Sequence, residues 1–418
     1  MLSCFDYPYR RQEEMNDGWA VAVYQVYGAG YGDILKKAGN FAVGQTVGTW
    51  VKVPGITQEM VEGRQGRVLS LTETAGVNEN EPVFILRLAF PLENIGGSLT
   101  MLMTALVGAD VSTALHTRLM DIEWYDKTGI FNGPKQGMRE LRELTGAQGR
   151  PVVLNMIKPC VGFAPEAGAN FFYEAACGGL DLIKDDELLG SPSYNEVEKR
   201  VQAYLRAANS AFETSGKHTV YLPNITSGPK KMRENAQAAI NSGAKACLVN
   251  FVFGGLDSLA ELSEEFGEQL FIMAHYAGSS VMCGDGGGIS QPVLLGVLAR
   301  LAGAHAVMTP APTGQNMKAL YELHKTVQNQ RLPIFGIAPV VTAVGGGITP
   351  INQWKLQQDL GKDIILGIGG AVQGHPSGAT AGARAAMAAV EASAKGVPLE
   401  DAALDCTALK QAMKIWSA

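Results

Sequence analysis

The sequence predicts an α/β protein: a (β/α)8 TIM barrel preceded by an α+β domain of ferredoxin-like type. Two observations carry that expectation. From Arg150 onward, eight short apolar runs alternate with amphipathic segments of helical period, as parallel strands do when helices bury both faces of their sheet. Upstream of that point, apolar stretches follow one another without the alternation, so a separate domain is expected there. An open doubly wound sheet remains the structural alternative, because alternation does not by itself decide closure.

In the first domain, residues 1–132, the stretches WAVAVYQVY, GRVLSLTE and PVFILRLAFPL read as strands, and GIFNGPKQGM (129–138) reads as the linker. Residues 133–418 are assigned to the barrel and a C-terminal helix. The barrel strands fall in RPVVLNMIKP (150–159), LDLIKDDE (180–187), HTVYLPNIT (218–226), ACLVNFVFGG (246–255), LFIMAHYAG (270–278), AHAVMTPAP (304–312), LPIFGIAPVV (332–341) and DIILGIGGAV (363–372). Between them, segments such as NEVEKRVQAYLRAANSAFETSG and KKMRENAQAAINSGA repeat apolar residues at helical spacing and end near glycine, the usual helix stop. The stretch EDAALDCTALKQAMKIW predicts one final helix.

Composition narrows the function. The 418 residues are 46% hydrophobic and 18% charged, with 50 glycines, which suits a compact enzyme. A net charge of −6 argues against nucleic acid or an anionic membrane as partner. Six cysteines (4, 160, 177, 247, 283 and 406) form no CxxC pair and read as reduced thiols of a cytoplasmic protein. No apolar stretch approaches the ~20 residues that span a bilayer. The N-terminal MLSCFDYPYRRQEE has no secretory apolar region.

Barrel enzymes place their chemistry at the carboxyl ends of the strands. Strand one ends with Lys158, strand two with Lys184, Asp186 and Glu187, strand three with Asn224, and strand five with His275. Taken singly, each has an ordinary reading: a strand cap, a solvated charge cluster, a satisfied core histidine. Their coincidence at strand ends favours a site in which hard oxygen ligands hold Mg²⁺. Strands seven and eight run into VGGGITP and GIGGAVQGHPSG. Gly346, Gly347, Gly369 and Gly370 could be simple turns, but the loops after these two strands are the habitual phosphate site of the fold, so a phosphorylated substrate is expected.

GGLDLIKDDE with MIKP upstream, a strand-five histidine, the late glycine pairs with GHPSG, GTW at 48–50 and GPKQGMRELRE at the junction resemble the large subunit of ribulose bisphosphate carboxylase/oxygenase (RuBisCO). The resemblance implies that CO₂ carbamylates Lys184, which turns a cation into an oxygen ligand and completes a site for one Mg²⁺ per subunit with Asp186 and Glu187. It also implies proton transfer by Lys158, substrate contact by His275, phosphate on the four glycines, and a homodimer or dimer of dimers.

Departures from the family pattern argue against CO₂ fixation. Cys160 stands where the family has a second lysine, Tyr276 replaces an arginine, and Ser279 replaces a histidine. The loop TPAPTGQN lacks its lysine, although Lys318 follows. Ala109 takes the place of an asparagine, and Gly44 or Gln45 that of a glutamate before GTW. The chain is therefore similar to the RuBisCO-like proteins, which keep the Mg²⁺-dependent enediolate machinery. The favoured reading is C–C cleavage of 3-oxo-isoapionate 4-phosphate, by decarboxylation or by carboxyl transfer and hydrolysis, in carbohydrate catabolism. The alternatives are the 2,3-diketo-5-methylthiopentyl-1-phosphate enolase of methionine salvage, whose general base falls at or near Ala109, and a methylthioribulose-phosphate isomerase. A silent binding scaffold is the non-enzymatic alternative.

Overall fold

The structure, a computed structural model, describes residues 17–28, 30–49, 51, 53–74, 82–108, 115–125, 129–284, 287–312, 316–334 and 336–416. Ala109, Trp50 of GTW, Cys4 and residues 313–315 of TPAPTGQN lie outside the described residues. The chain divides into two compact units.

The first unit comprises residues 1–132, 278–302 and 332–338. Its strands β1 (Trp19–Tyr27), β2 (Arg67–Thr74), β3 (Val83–Pro91) and β4 (His116–Tyr125) interleave with helices Tyr31–Gly44 and Leu99–Val107 in a β-α-β-β-α-β order. They pair antiparallel in the order β4-β1-β3-β2, the ferredoxin-like arrangement. Tyr24 ties helix to sheet, donating its hydroxyl to Leu106 O at 2.7 Å. Strand β4 escapes a reading of apolar runs, because HTRLMDIEWY is charged on the side that stays partly exposed. The later segments join this unit through short β10 (Gly288–Ile289), which pairs parallel with β4.

The second unit is the barrel. Strands β5 (Val152–Met156), β6 (Leu182–Lys184), β7 (Val220–Leu222), β8 (Ala246–Asn250), β9 (Phe271–His275), β11 (Ala306–Pro310), β12 (Val341–Gly345) and β13 (Ile364–Gly367) pair in parallel in the order β7-β6-β5-β13-β12-β11-β9-β8. A parallel bridge between Asn224 and Leu248 joins the two ends, so the sheet closes. The open-sheet alternative is thereby removed. Leu154, Leu182, Leu248, Met273, Met308 and Ile365 share one fully buried apolar cluster.

Two expectations need correction. Strand seven is Val341–Gly345, not the run 332–341. That run carries Pro333 and Pro339, which cannot donate to a ladder. Instead the carbonyls of Leu332, Ile337 and Ala338 accept from the buried Arg300 guanidinium within the first unit. The final helix is two, Leu399–Asp405 and Thr407–Trp416, parted by extended Cys406. The break lets Ala403 from one and Leu409 and Ala412 from the other pack on the same helix, Ala379–Lys395. Among the described residues, no helix is long and apolar enough to cross a membrane.

His305, just before β11, is fully buried. Its Nδ1 accepts from Ile272 N at 3.0 Å, while Nε2 has no partner among the described residues. Burial lowers its pKa from 6.5 to about 4. The unfolded chain therefore binds this proton first, and stability should fall as pH drops through that window, by at most about 1.4 kcal/mol per pH unit. Thermal melts of His305→Gln should lose that part of the acid sensitivity; an unchanged pH slope would show that His305 titrates normally.

Candidate active site

The segment KDDE divides at the end of β6. Lys184 closes the strand in register with Met156 and Leu222, and its side chain is completely buried. Nζ donates to Asp185 O at 3.0 Å and lies 3.4 Å from Glu187 Oε2. Burial drives the Lys184 pKa below the ordinary lysine value, against the pull of the Glu187 and Asp186 charges.

Asp185 belongs to a different network. Fully buried, it accepts from Arg200 Nε at 2.9 Å, Tyr221 OH at 2.7 Å and Asn224 N at 2.8 Å. Arg200 also donates to Asn195 O (2.6 Å), Gly190 O (2.9 Å) and Asn224 O (3.3 Å), spanning the loop that follows β6. Asn195 in turn donates to Phe163 O at 2.8 Å, in the loop that follows β5. Asn224 Nδ2 holds the carbonyls of Asp186 and Glu187 at 3.3 and 3.0 Å. Arg200 was missed in the sequence, yet a signal exists: it lies on the helix face shared by Val197, Val201 and Tyr204, where a cation must find a buried partner.

Asp186, Glu187, Lys158 and His275 do come together. Asp186 Oδ2 pairs with Lys158 Nζ at 2.5 Å, and Lys158 also meets Cys160 Sγ at 3.0 Å. Burial works to raise the Asp186 pKa, but hydrogen bonds from Lys158 and the Leu188 amide outweigh it and hold it below the carboxylate norm. Burial likewise lowers Lys158, yet the Asp186 hydrogen bond leaves it well above the lysine norm. Glu187 Oε2 lies 3.5 Å from His275 Nε2. Burial works to raise the Glu187 pKa, but attraction to any positive charge on Lys184 or His275 outweighs it and leaves it below the carboxylate norm. His275 is depressed to about 4 by burial, then by Lys184, so the ring is neutral. Its Nδ1 accepts from Ala277 N, which leaves the proton on Nε2.

The glycine turns follow adjacent strands, since Gly345 of β12 pairs with Gly367 of β13. Gly346 and Gly347 need their glycines, with φ of 102° and 68°. A Cβ at Gly369 would crowd Met156 Cε at 3.0 Å, whereas one at Gly370 would meet open space. Two residues missed in the sequence steady this backbone: buried Asn155 donates to Ile368 O at 2.8 Å and accepts from Gln373 Nε2 at 2.7 Å. Both look like ordinary polar residues in sequence.

As it stands the cluster is ion-paired rather than a chelating cage: among the described residues, no group of three or more His, Cys, Asp or Glu is placed to hold a metal. The donor chemistry nonetheless fits Mg²⁺. Asp186 and Glu187 are ionised oxygen donors, and the third group beside them is the Lys184 amine, whose depressed pKa favours the neutral, nucleophilic form that CO₂ requires.

A closed parallel barrel with a ferredoxin-like companion and ionisable strand ends after β5, β6 and β9 defines a barrel enzyme scaffold. Residues 137–416 match the family model described as ribulose bisphosphate carboxylase large chain, catalytic domain. The chain is 36% identical to a ribulose bisphosphate carboxylase-like protein of Archaeoglobus fulgidus, over 94% of this chain and 92% of that one. It is 32% identical to a 2,3-diketo-5-methylthiopentyl-1-phosphate enolase of Geobacillus thermodenitrificans, over 92% and 95% of the two chains. The solved rubisco-like protein MtnW of Alicyclobacillus acidocaldarius superposes with a TM-score of 0.88 at 33% identity, covering 95% of this chain and 100% of that one. The chain belongs to the RuBisCO large-chain family, among its RuBisCO-like proteins.

Arg200→Met should strand the Asp185 carboxylate in the core and cost about 3–5 kcal/mol, the usual penalty for removing one partner of a buried pair. Denaturant titration measures this. A loss below about 1 kcal/mol, typical of an exposed pair, would show that the network does not hold the loop.

Proposed function

We propose that the protein is a Mg²⁺-dependent enzyme that cleaves a carbon–carbon bond in a phosphorylated oxo sugar acid, 3-oxo-isoapionate 4-phosphate, by decarboxylation or by carboxyl transfer with hydrolysis. One observation carries the reading: the site is built from a protonated lysine and weak bases. Lys158 is held as an ammonium, His275 is neutral with its proton facing Glu187, and Asp186 and Glu187 are both depressed. Such a set offers one ammonium proton, on Lys158, and its carboxylates and histidine are too weakly basic to take a proton from carbon.

Loss of CO₂ from a β-oxo acid suits these groups. The breaking C–C bond leaves its electron pair on the adjacent carbon and ketone oxygen, so no base is needed, and the carbanion takes one proton. Asp186, Glu187 and a carbamate on Lys184 would hold Mg²⁺, which would supply positive charge to stabilise the developing oxyanion. Lys158 delivers the proton. Freed from Asp186, it loses the hydrogen bond that raises its pKa and keeps the burial that lowers it, which makes it the stronger acid. Its side chain is 42% exposed, so solvent can recharge it. The Nε2 proton of His275, which faces Glu187 at 3.5 Å, turns to a substrate oxygen once Glu187 is engaged by the metal, and the turns at Gly346–Gly347 and Gly369–Gly370 receive the phosphate. The cytoplasm as its location and a homodimer or dimer of dimers complete the proposal.

A second reading has its own support: the 32% identity to the Geobacillus enolase across nearly the whole chain. That reaction must remove a proton from carbon, and the resemblance puts its base at or near Ala109.

Purified protein with Mg²⁺ and bicarbonate, offered both substrates, separates the readings. The oxo acid should be cleaved and the diketone phosphate left unchanged; enolisation of the diketone with the oxo acid intact would overturn the proposal. Lys158→Met should lower kcat about 10²–10⁴-fold with KM little changed. A change in KM alone, with solvent deuterium still entering product at the normal rate, would make Lys158 a binding residue.

A further inference from the structure

The motif GHPSG takes no part in the reaction above, yet its histidine is buried. His375 Nδ1 accepts from Ser377 N at 3.1 Å, so the proton of the neutral ring sits on Nε2, which donates to Ala408 O at 3.0 Å. Ala408 lies in the first turn of the C-terminal helix Thr407–Trp416, and Gln411 of the same helix accepts from Ser377 Oγ at 3.0 Å. The helix is itself anchored, because Leu409 and Ala412 are buried against Ala379–Lys395.

On its other side the histidine continues the turn after β13. Gln373 N donates to Gly369 O at 3.1 Å and Gly374 N to Gly370 O at 2.8 Å, while Gln373 Nε2 donates to Asn155 Oδ1 at 2.7 Å. The helix Ala379–Lys395 presses on the same backbone: a Cβ at Gly382 would lie 2.1 Å from Val372 O. The segment Gly369–Gly374 is thus tied to β5 through Asn155 and to the C-terminal helix through His375. An imidazole suits the second tie, since it presents an acceptor and a donor on opposite sides of one rigid ring.

We propose that His375 is a positioning residue that braces the turn Gly369–Gly374 against the C-terminal helix and keeps it ordered for an incoming oxyanion. This rests on the reading that the turn receives the substrate phosphate, and is independent of the bond that is cleaved. A turn that binds through its backbone gains affinity by being ordered before the ligand arrives. His375 acts through the turn and not on the reacting atoms, so its loss belongs in KM rather than kcat.

Two variants of the full chain separate its two hydrogen bonds. His375→Asn keeps an acceptor near the Nδ1 position but falls short of Ala408 O, whereas His375→Gln carries an N–H out to the Nε2 position. In hydrogen exchange, the amides of Gln373 and Gly374 should exchange about tenfold faster in His375→Asn, with those of β13 unchanged, and return close to the wild-type rate in His375→Gln. Inorganic phosphate, titrated calorimetrically, should bind about tenfold more weakly to His375→Asn and almost normally to His375→Gln. With a substrate in hand, KM should follow the phosphate affinity while kcat holds. Unchanged exchange or unchanged phosphate affinity in His375→Asn would overturn the proposal, as would a His375→Gln protein as impaired as His375→Asn. Exchange raised evenly across the barrel would also overturn it, by showing a merely structural role. A wild-type protein that binds no phosphate would remove the phosphate reading and the proposal with it, whereas failure to cleave any oxo acid would sink only the reaction. Should His375→Asn not fold, Ser377→Ala takes its place in both measurements, since it cuts the exposed bond to Gln411 at the same junction.

Discussion

The buried ion pair between Asp185 and Arg200 is the constraint from which the site follows. Both side chains are fully buried, and the guanidinium also gathers the carbonyls of Gly190, Asn195 and Asn224. A pair of this kind adds little net stability over an apolar core, but it tolerates few alternative geometries. It therefore defines the loop after β6. With Asp185 committed to the core side, Asp186 and Glu187 are left to meet Lys158 and His275. The four charges of KDDE are two devices, one that anchors and one that faces the site.

The same burial sets the chemistry. Lys184 is closed off from water and pushed towards the neutral amine, and His275 is pushed to about 4. Asp186 is held as an anion by hydrogen bonds from Lys158 and the Leu188 amide, and the Glu187 pKa also lies below the carboxylate norm. The outcome is a cluster whose carboxylates are poor bases, whose histidine is a donor, and whose one strongly held proton sits on Lys158. That distribution fits a reaction limited by stabilising and protonating a carbanion better than one limited by forming it.

Much of the barrel was legible, because each parallel strand is an uninterrupted apolar run and most ended in the residue that marks the site. Lys158, Lys184, Asp186, Glu187 and His275 could be picked out together for that reason. The failures have equally local causes. Strand seven was placed early because LPIFGIAPVV is apolar, although its prolines forbid a ladder. The β4 strand was overlooked because half its face is polar. Arg200, Asn155 and Gln373 act through partners as far as 218 residues away, a distance at which residue type carries no signal. Leaving Asp185 out of the site agrees with its burial against Arg200, although sequence shows only its charge and not the direction its side chain takes.

The central claim is that Lys184 serves as a carbamate rather than as an ammonium. It is tested most directly by ¹³C NMR of the protein equilibrated with ¹³C-bicarbonate and Mg²⁺, beside Lys184→Met. The account predicts one carbamate carbon per chain in the wild type, strengthened by Mg²⁺ and missing from the variant. No carbamate signal at saturating bicarbonate and Mg²⁺, or a signal that persists in Lys184→Met, would contradict it.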